Sequence, residues 1–209
     1  MSELARRLNQ CKKPTGDSGK LVVEDMNNSH FELTSWGINS LGQIEVREAL
    51  DIGCGGGRTV NRLAHIYEHA KIIGMDYSMD CVKWSREYNE ELIKLGRVEI
   101  INGDANKIPF EDNKFNLITA IETVYFWPDL FSSFKEVHRT LNEGGKFLLI
   151  NEIYKDDKFK ERNDKFIQES DMKIFSPEEL KQLLIEAGFS SVNYNTVENK
   201  NWISYISNK

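Results

Sequence analysis

The stretch ALDIGCGGGRTV, residues 49–60, constrains this chain more than any other. An apolar run, Ala49-Leu50-Asp51-Ile52, meets three glycines on alternate positions, Gly53, Gly55 and Gly57, and then the start of a helical pattern. A strand that passes through a glycine turn into a helix offers backbone N–H groups and bare Cα atoms to a ligand at close range, so the motif points to a nucleotide site. The pyrophosphate fingerprint G-x-G-x-x-G is not met, because counting from Gly53 puts Arg58 where its third glycine belongs. Asp51 would repel a pyrophosphate and attract an ammonium or sulfonium. A cationic nucleotide ligand fits better than a dinucleotide.

The rest of the pattern alternates strands with helices. Apolar runs predict strands over 46–52, 71–76, 97–102, 115–121 and 146–153, and three-to-four-residue spacing predicts helices over 58–69, 78–95 and 130–141. Ser176-Pro177-Glu178-Glu179 combines an N-cap, a proline at the first helical position and a capping glutamate, and Gly188 closes the helix that follows. Two last strands, 190–197 and 202–206, are separated by only four residues, too few for a helical crossover, and should pair antiparallel. The expected fold is α/β, a mostly parallel sheet with helices on both faces. Residues 1–45 are expected to form a helical lid segment ahead of this domain, residues 46–209 the domain, and the charged stretch 155–173 a cap insertion within it that helps to roof the site.

At 209 residues the chain supports one α/β domain. With 33 acidic against 27 basic residues, a net charge of -6 and no basic run, nucleic acid is an unsuitable partner. Cys11, Cys54 and Cys81 form no C-x-x-C pair, the usage of a reducing compartment. The amino-terminal residues lack an apolar h-region and nowhere do eighteen apolar residues run together, so a cytoplasmic protein without a membrane partner is expected.

Ligands of open parallel sheets sit at the carboxyl ends of the strands. Those ends carry Asp51 and the glycines, Asp76, then Gly103-Asp104-Ala105, then Glu122-Thr123. Asp76 follows Gly55 by 21 residues, the separation at which a carboxylate accepts from ribose hydroxyls.

With ALDIGCGGG, GMDYS, INGDANKIPF, FNLITAIETVYFWPD and LNEGGKFLLI in this order, the sequence resembles the class I S-adenosylmethionine-dependent methyltransferases over roughly residues 46–207. It is similar to their small-molecule branch, which includes ubiquinone-type enzymes. The resemblance implies a Rossmann-like seven-stranded sheet with the last strand reversed, S-adenosyl-L-methionine as cofactor and a small-molecule acceptor. It implies that Asp51, Gly53, Cys54 and Gly55 surround the methionine part, that Asp76 holds the ribose, and that Tyr77, Asp104 and Ala105 meet the adenine. Ile121 and Glu122 would border both cofactor and acceptor, and an amino-terminal lid would bring His30 and Trp36 over the site. His30, Tyr125 and Glu122 are the candidates for a base or orienting group at the acceptor.

Departures narrow the branch. Ile121-Glu122-Thr123-Val124 replaces the N/D-P-P-Y pattern of base methylases, and no Asp/Asn cluster of the catechol type suggests a metal. Two alternatives remain open: a protein that binds the cofactor without catalysing transfer, and a nicotinamide-dependent oxidoreductase, which would need the missing glycine spacing and a second half-domain.

Overall fold

A computed structural model describes all 209 residues. Ser2 opens the first helix, α1 (Glu3–Lys12), where its hydroxyl accepts the Ala5 N–H at 3.0 Å and satisfies one of the unpaired donors of the first turn. Pro14 separates α1 from α2 (Gly16–Ser29), and His30 alone separates α2 from α3 (Phe31–Asn39). His30 has φ -88° and ψ 6°, outside the helical well, so the chain turns there and the imidazole leaves from the corner.

The sheet begins with β1 (Glu48–Ile52). Leu50 and Ile52 pack on one face and Ala49 on the other, because successive strand side chains point to opposite sides. A strand that is apolar on both faces must be covered on both. Helix α4 (Arg58–Ile66) leads into β2 (Lys71–Asp76), and α5 (Met79–Tyr88) with α6 (Glu90–Lys94) leads into β3 (Val98–Asn102). Then come β4 (Phe115–Ile121), α7 (Leu130–Thr140), β5 (Leu141–Asn151), α8 (Lys160–Glu169), α9 (Pro177–Glu186), β6 (Ser191–Thr196) and β7 (Ile203–Asn208).

The seven strands lie in the order β3-β2-β1-β4-β5-β7-β6. β1 pairs in parallel with β2 and β4, β2 with β3 and β4 with β5, while β7 runs antiparallel to both β5 and β6. The seven-stranded sheet with one reversed strand is thus the expected one. Helices α7 and α9 cover one face through Phe134, Val137, Leu180 and Leu184; α3, α4 and α5 cover the other through Leu33, Val60, Leu63 and Val82. The order turns back between β1 and β4, and the carboxyl ends there open a crevice.

Two elements differ from the expected ones. The helix expected over 78–95 breaks at Asn89, whose buried amide donates to Ser85 O at 2.9 Å and to Gly57 O at 3.1 Å. The side chain spends its hydrogen bonds on the glycine turn, and the backbone bends to let it. The fifth strand starts at Leu141 instead of Lys146: Leu141 pairs with Phe115, Lys146 with Leu117, and the extra residues bulge through Gly144 at φ 74°.

Helix α3 lies close against β5 because Gly37 has no side chain. A Cβ there would come within 2.3 Å of Ile150 Cδ1. We expect Gly37→Val to destabilise the protein by about 1–3 kcal/mol through overpacking. Chemical denaturation should show part of this loss recovered when Ile150 is also changed to Ala.

Candidate active site

The glycine turn is fixed from several directions. Gly53 and Cys54 donate their N–H groups to Met75 O at 2.7 and 3.1 Å, which ties the end of β1 to β2. Gly53, Gly55 and Gly57 all have left-handed φ, yet their surroundings differ. A Cβ on Gly53 would meet Thr123, and one on Gly57 would lie 2.3 Å from Ser85 Oγ and 2.5 Å from the Asn89 amide. A Cβ on Gly55 would meet nothing within 4 Å. Only Gly55 faces open space; the other two are required by packing.

That open space is a cavity of about 260 Å³ at the carboxyl ends of β1, β2 and β4. Asp51, Asp76, Asp104 and Glu122 all line it, together with Gly53, Cys54, Gly55, Tyr77, Ala105 and Ile121. Asp51 is buried and accepts from Thr119 Oγ1 at 2.6 Å. Burial pushes its carboxyl pKa up to about 7, against the Thr119 hydrogen bond and helped by the nearby charge of Asp76. Asp76 accepts the Gly55 N–H at 2.9 Å and the Ser78 N–H at 2.8 Å, one on each oxygen. Burial raises its pKa as well, and these backbone donors hold the rise in check. Asp104 is exposed and accepts the Asn106 N–H at 2.9 Å. The thiol of Cys54 rests against Ser85 Oγ at 3.8 Å, and burial keeps it protonated, so its role at the turn is to be small.

The amino-terminal helices roof the cavity with Cys11, Lys12, Val23, Met26, His30 and Thr34. Specific bonds hold this roof to the walls. Tyr77 OH donates to Lys12 O, Ser78 Oγ donates to Pro14 O at 2.9 Å, and Gly16 N donates to Asp80 Oδ2 at 2.9 Å. From the first turn of α4, Arg58 donates to Asn27 O at 3.0 Å and Asn28 Oδ1 at 2.9 Å.

Trp36, expected with the cofactor ligands, is not among the lining residues; its ring packs on Trp202 at 6.1 Å. Six residues along a helix rotate a side chain about 120° away from His30, whereas Thr34, four residues on, stays within about 40° of it. Nor does any residue of 155–173 line the cavity. That segment supplies α8, whose Phe166 packs with Leu8, Tyr125, Ile153 and Met172, so it supports α1 from outside.

At the β4 end, Glu122 has φ 60°, left-handed and uncommon for a residue with a side chain. Its N–H donates to Ile150 O at 3.0 Å, and its Oε1 accepts from Tyr125 OH at 2.9 Å and from the Glu152 N–H. Tyr125 is itself buried, with its hydroxyl accepting the Ile153 N–H at 3.0 Å, so it braces Glu122 from behind instead of lining the cavity. His30 Nε2 lies 3.2 Å from Glu152 Oε2 and 3.9 Å from Glu122 Oε2. Burial lowers the His30 pKa, but the Glu152 hydrogen bond and the charges of Glu122 and Glu152 outweigh it, and the net shift is upward. The Glu152 pKa falls because His30 donates to it, while burial raises that of Glu122. The facing atoms of His30, Glu122 and Glu152 lie within 4.8 Å of one another, and hydrogen bonds join His30 to Glu152 and the Glu152 N–H to Glu122.

Glu152 is the residue that the sequence reading missed. Its signal was its place just beyond β5, hidden inside the stretch 146–153 that the apolar pattern predicts as strand.

The methyltransferase-domain family model matches residues 50–149. The chain is 30% identical over 105 residues to a fatty-acid O-methyltransferase of Mycolicibacterium smegmatis, covering 50% of this chain and 37% of that protein. It is 31% identical over 104 residues to a demethylmenaquinone methyltransferase of Bacillus cereus, covering 49% of this chain and 44% of the relative. The chain thus spans less than half the length of these relatives. Among solved structures, a chain from the complex of the Haloferax volcanii Trm112 methyltransferase activator with a methyltransferase superposes with TM-score 0.81 at 16% identity, covering 100% of this chain and 98% of the other. Family match and strand order agree with the motifs at the strand ends: residues 50–149 match the methyltransferase-domain family, and the chain is similar to the class I S-adenosylmethionine-dependent methyltransferases.

Proposed function

We propose that the protein transfers a methyl group from S-adenosyl-L-methionine to a small-molecule acceptor. The observation that carries the reading is the wall of the cavity: an open left-handed Gly55 beside Asp51, Asp76 and Asp104, one carboxylate at the end of each of three neighbouring strands. The donor set fits a positively charged nucleoside. Gly55 leaves room at the turn, Asp51 offers a carboxylate to an ammonium or sulfonium, Asp76 accepts from ribose hydroxyls, and Asp104 with Ala105 borders the adenine edge. Tyr77 packs beside them. When bound, the cofactor supplies an electrophilic methyl carbon on a sulfonium.

The chain's own part is alignment and the exclusion of water. Lys12, Val23, Met26 and His30 close the cavity from above, and Ile121, Glu122, Phe126 and Trp127 form its acceptor end. Trp127 Nε1 donates to Thr123 Oγ1 at 2.7 Å, which locks this aromatic wall to the end of β4. The names of the two curated relatives, a fatty-acid and a demethylmenaquinone methyltransferase, support a small acceptor. So does the acidic balance of the chain, which disfavours a polyanionic one.

Calorimetry tests the cofactor reading directly. Wild-type protein stripped of endogenous ligand should bind S-adenosyl-L-methionine, and Asp76→Ala should weaken binding by about tenfold to a hundredfold, the worth of hydrogen bonds to a charged acceptor. No heat at millimolar cofactor would overturn it.

Asp51 makes binding pH-dependent. Its pKa in the free protein, about 7, lies above the ordinary carboxyl value, so the neutral form prevails below pH 7 and attracts no cation. A bound ammonium or sulfonium favours the carboxylate, so affinity should strengthen about tenfold as pH rises from 6 to 8, with release of a proton. The stability of the free protein should run the other way. The raised pKa favours folding below the ordinary carboxyl range, and this advantage is lost as pH rises through about 7. Asp51→Asn should flatten both profiles, in titrations repeated across pH and in thermal melts.

A further inference from the structure

The cluster at the acceptor end contains more than one candidate base, and its hydrogen bonds separate their roles. Nε2 of His30 faces Glu152 Oε2 at 3.2 Å. Glu152 is held ionised by this contact, so Nε2 must be the nitrogen that carries the proton. The other ring nitrogen, Nδ1, makes no hydrogen bond to the protein, while His30 as a residue lines the cavity. Glu122 is committed elsewhere: one oxygen accepts from Tyr125 OH and from the Glu152 N–H, and burial disfavours its ionised form. Tyr125 OH is likewise engaged, donating to Glu122 and accepting from Ile153 N. Glu122 Oε2 accepts no hydrogen bond and lies 3.9 Å from His30 Nε2, so both carboxylates face the same ring nitrogen and Nδ1 is left as the free lone pair of the imidazole.

We propose that Glu152 is the positioning residue for His30: its carboxylate accepts Nε2–H, fixes the neutral ring in the tautomer with a free Nδ1 lone pair, and so makes His30 the base for an acceptor that must give up an O–H or N–H proton. This rests on the methyl-transfer reading above. The acceptor's proton passes to Nδ1, and the electron pair it leaves on oxygen or nitrogen forms the new bond to the methyl carbon. The pair of the broken carbon–sulfur bond stays on sulfur, and Nδ1–H returns its proton to solvent. An acceptor that is already an anion has no use for this base and would meet the Glu152 carboxylate as a like charge. The acceptor class is therefore a neutral hydroxyl or amine, and the Phe31, Phe126 and Trp127 rings that share the cavity suit an aromatic one.

The groups facing His30 come from three elements: Glu152 just beyond β5, Glu122 at the end of β4, and Asp25 on α2. Arg162 of α8 acts on Glu152, and Cys11 of α1 faces Glu122. The upward shift of His30 brings a base closer to neutral pH, where a proton acceptor is most effective.

Long-range ¹⁵N–¹H correlation of the histidine rings tests the assignment, on full-length protein saturated with S-adenosylhomocysteine. The expected result is a neutral His30 with the proton on Nε2. Glu152→Gln should retain that tautomer and lower the proton affinity of His30 by about tenfold. Glu152→Ala should do the same and let the second tautomer appear. Unchanged signals from His65, His69 and His138 show that each variant is folded. A His30 protonated on Nδ1 when neutral, or a proton affinity that neither variant moves, overturns the proposal. Phenol added to the same sample should shift the Nδ1 signal and benzoate should not. A response to benzoate equal to or above that to phenol overturns the acceptor class. Failure to bind S-adenosylhomocysteine would instead strike the methyl-transfer reading, and the tautomer of His30 could still be read in the free protein.

Discussion

The passage of the chain from β1 through the glycine turn into α4 is the constraint on which the rest of the molecule depends. Three alternate residues hold left-handed φ of 74°, 52° and 80°, a conformation that L side chains rarely adopt. Such a turn persists only when its surroundings determine it from several sides. Met75 O receives two of its N–H groups, Asp76 receives the Gly55 N–H, and Asn89 donates to Gly57 O. Each bond shapes something else. Asn89 interrupts the helical segment that follows β2, and Asp76, bonded to Gly55 and Ser78, joins the ends of β1 and β2 into a single wall.

The cavity beside this turn gathers carboxylates, which repel one another and lose hydration when buried. The fold treats each of them differently. Asp76 receives two backbone N–H groups and Asp51 one hydroxyl, and Asp51 is the one whose pKa is pushed to about 7. Glu122 is held in a strained backbone conformation by Tyr125 and the Glu152 N–H, and Glu152 is matched by the His30 imidazole. The negative potential that remains suits a cation at the Asp51 end, while the His30 end has a proton acceptor. The two ends of one cavity thus differ although both are acidic in sequence: carboxylates without an imidazole at the Asp51 end, an imidazole facing two carboxylates at the other.

Much of this was legible from residue order. The alternation of strands and helices, the reversed last strand and the strand-end acids Asp51, Asp76, Asp104 and Glu122 follow from local patterns, and all four acids line the cavity. Other features depended on partners distant in sequence. Asn89 looked like one more position in a long helix, and only the approach of the glycine turn gave its amide a reason to break it. Trp36 looked like a lid residue, but the rotation of α3 turned it toward Trp202. The insertion at 155–173 packs on α1 and on Tyr125 from outside the cavity.

The sequence by itself determined which strands form, in which direction most of them run and which acids end them, because strand period, glycine turns and caps are properties of neighbouring residues. Only the tertiary structure decided which of the three glycines has open space beside it, that Tyr125 stands behind Glu122, and that His30 meets Glu152 across 122 residues of chain. These depend on how close two separately formed elements come. That separation is set by packing across the whole sheet, through contacts such as Gly37 against Ile150, and no local stretch of sequence encodes it.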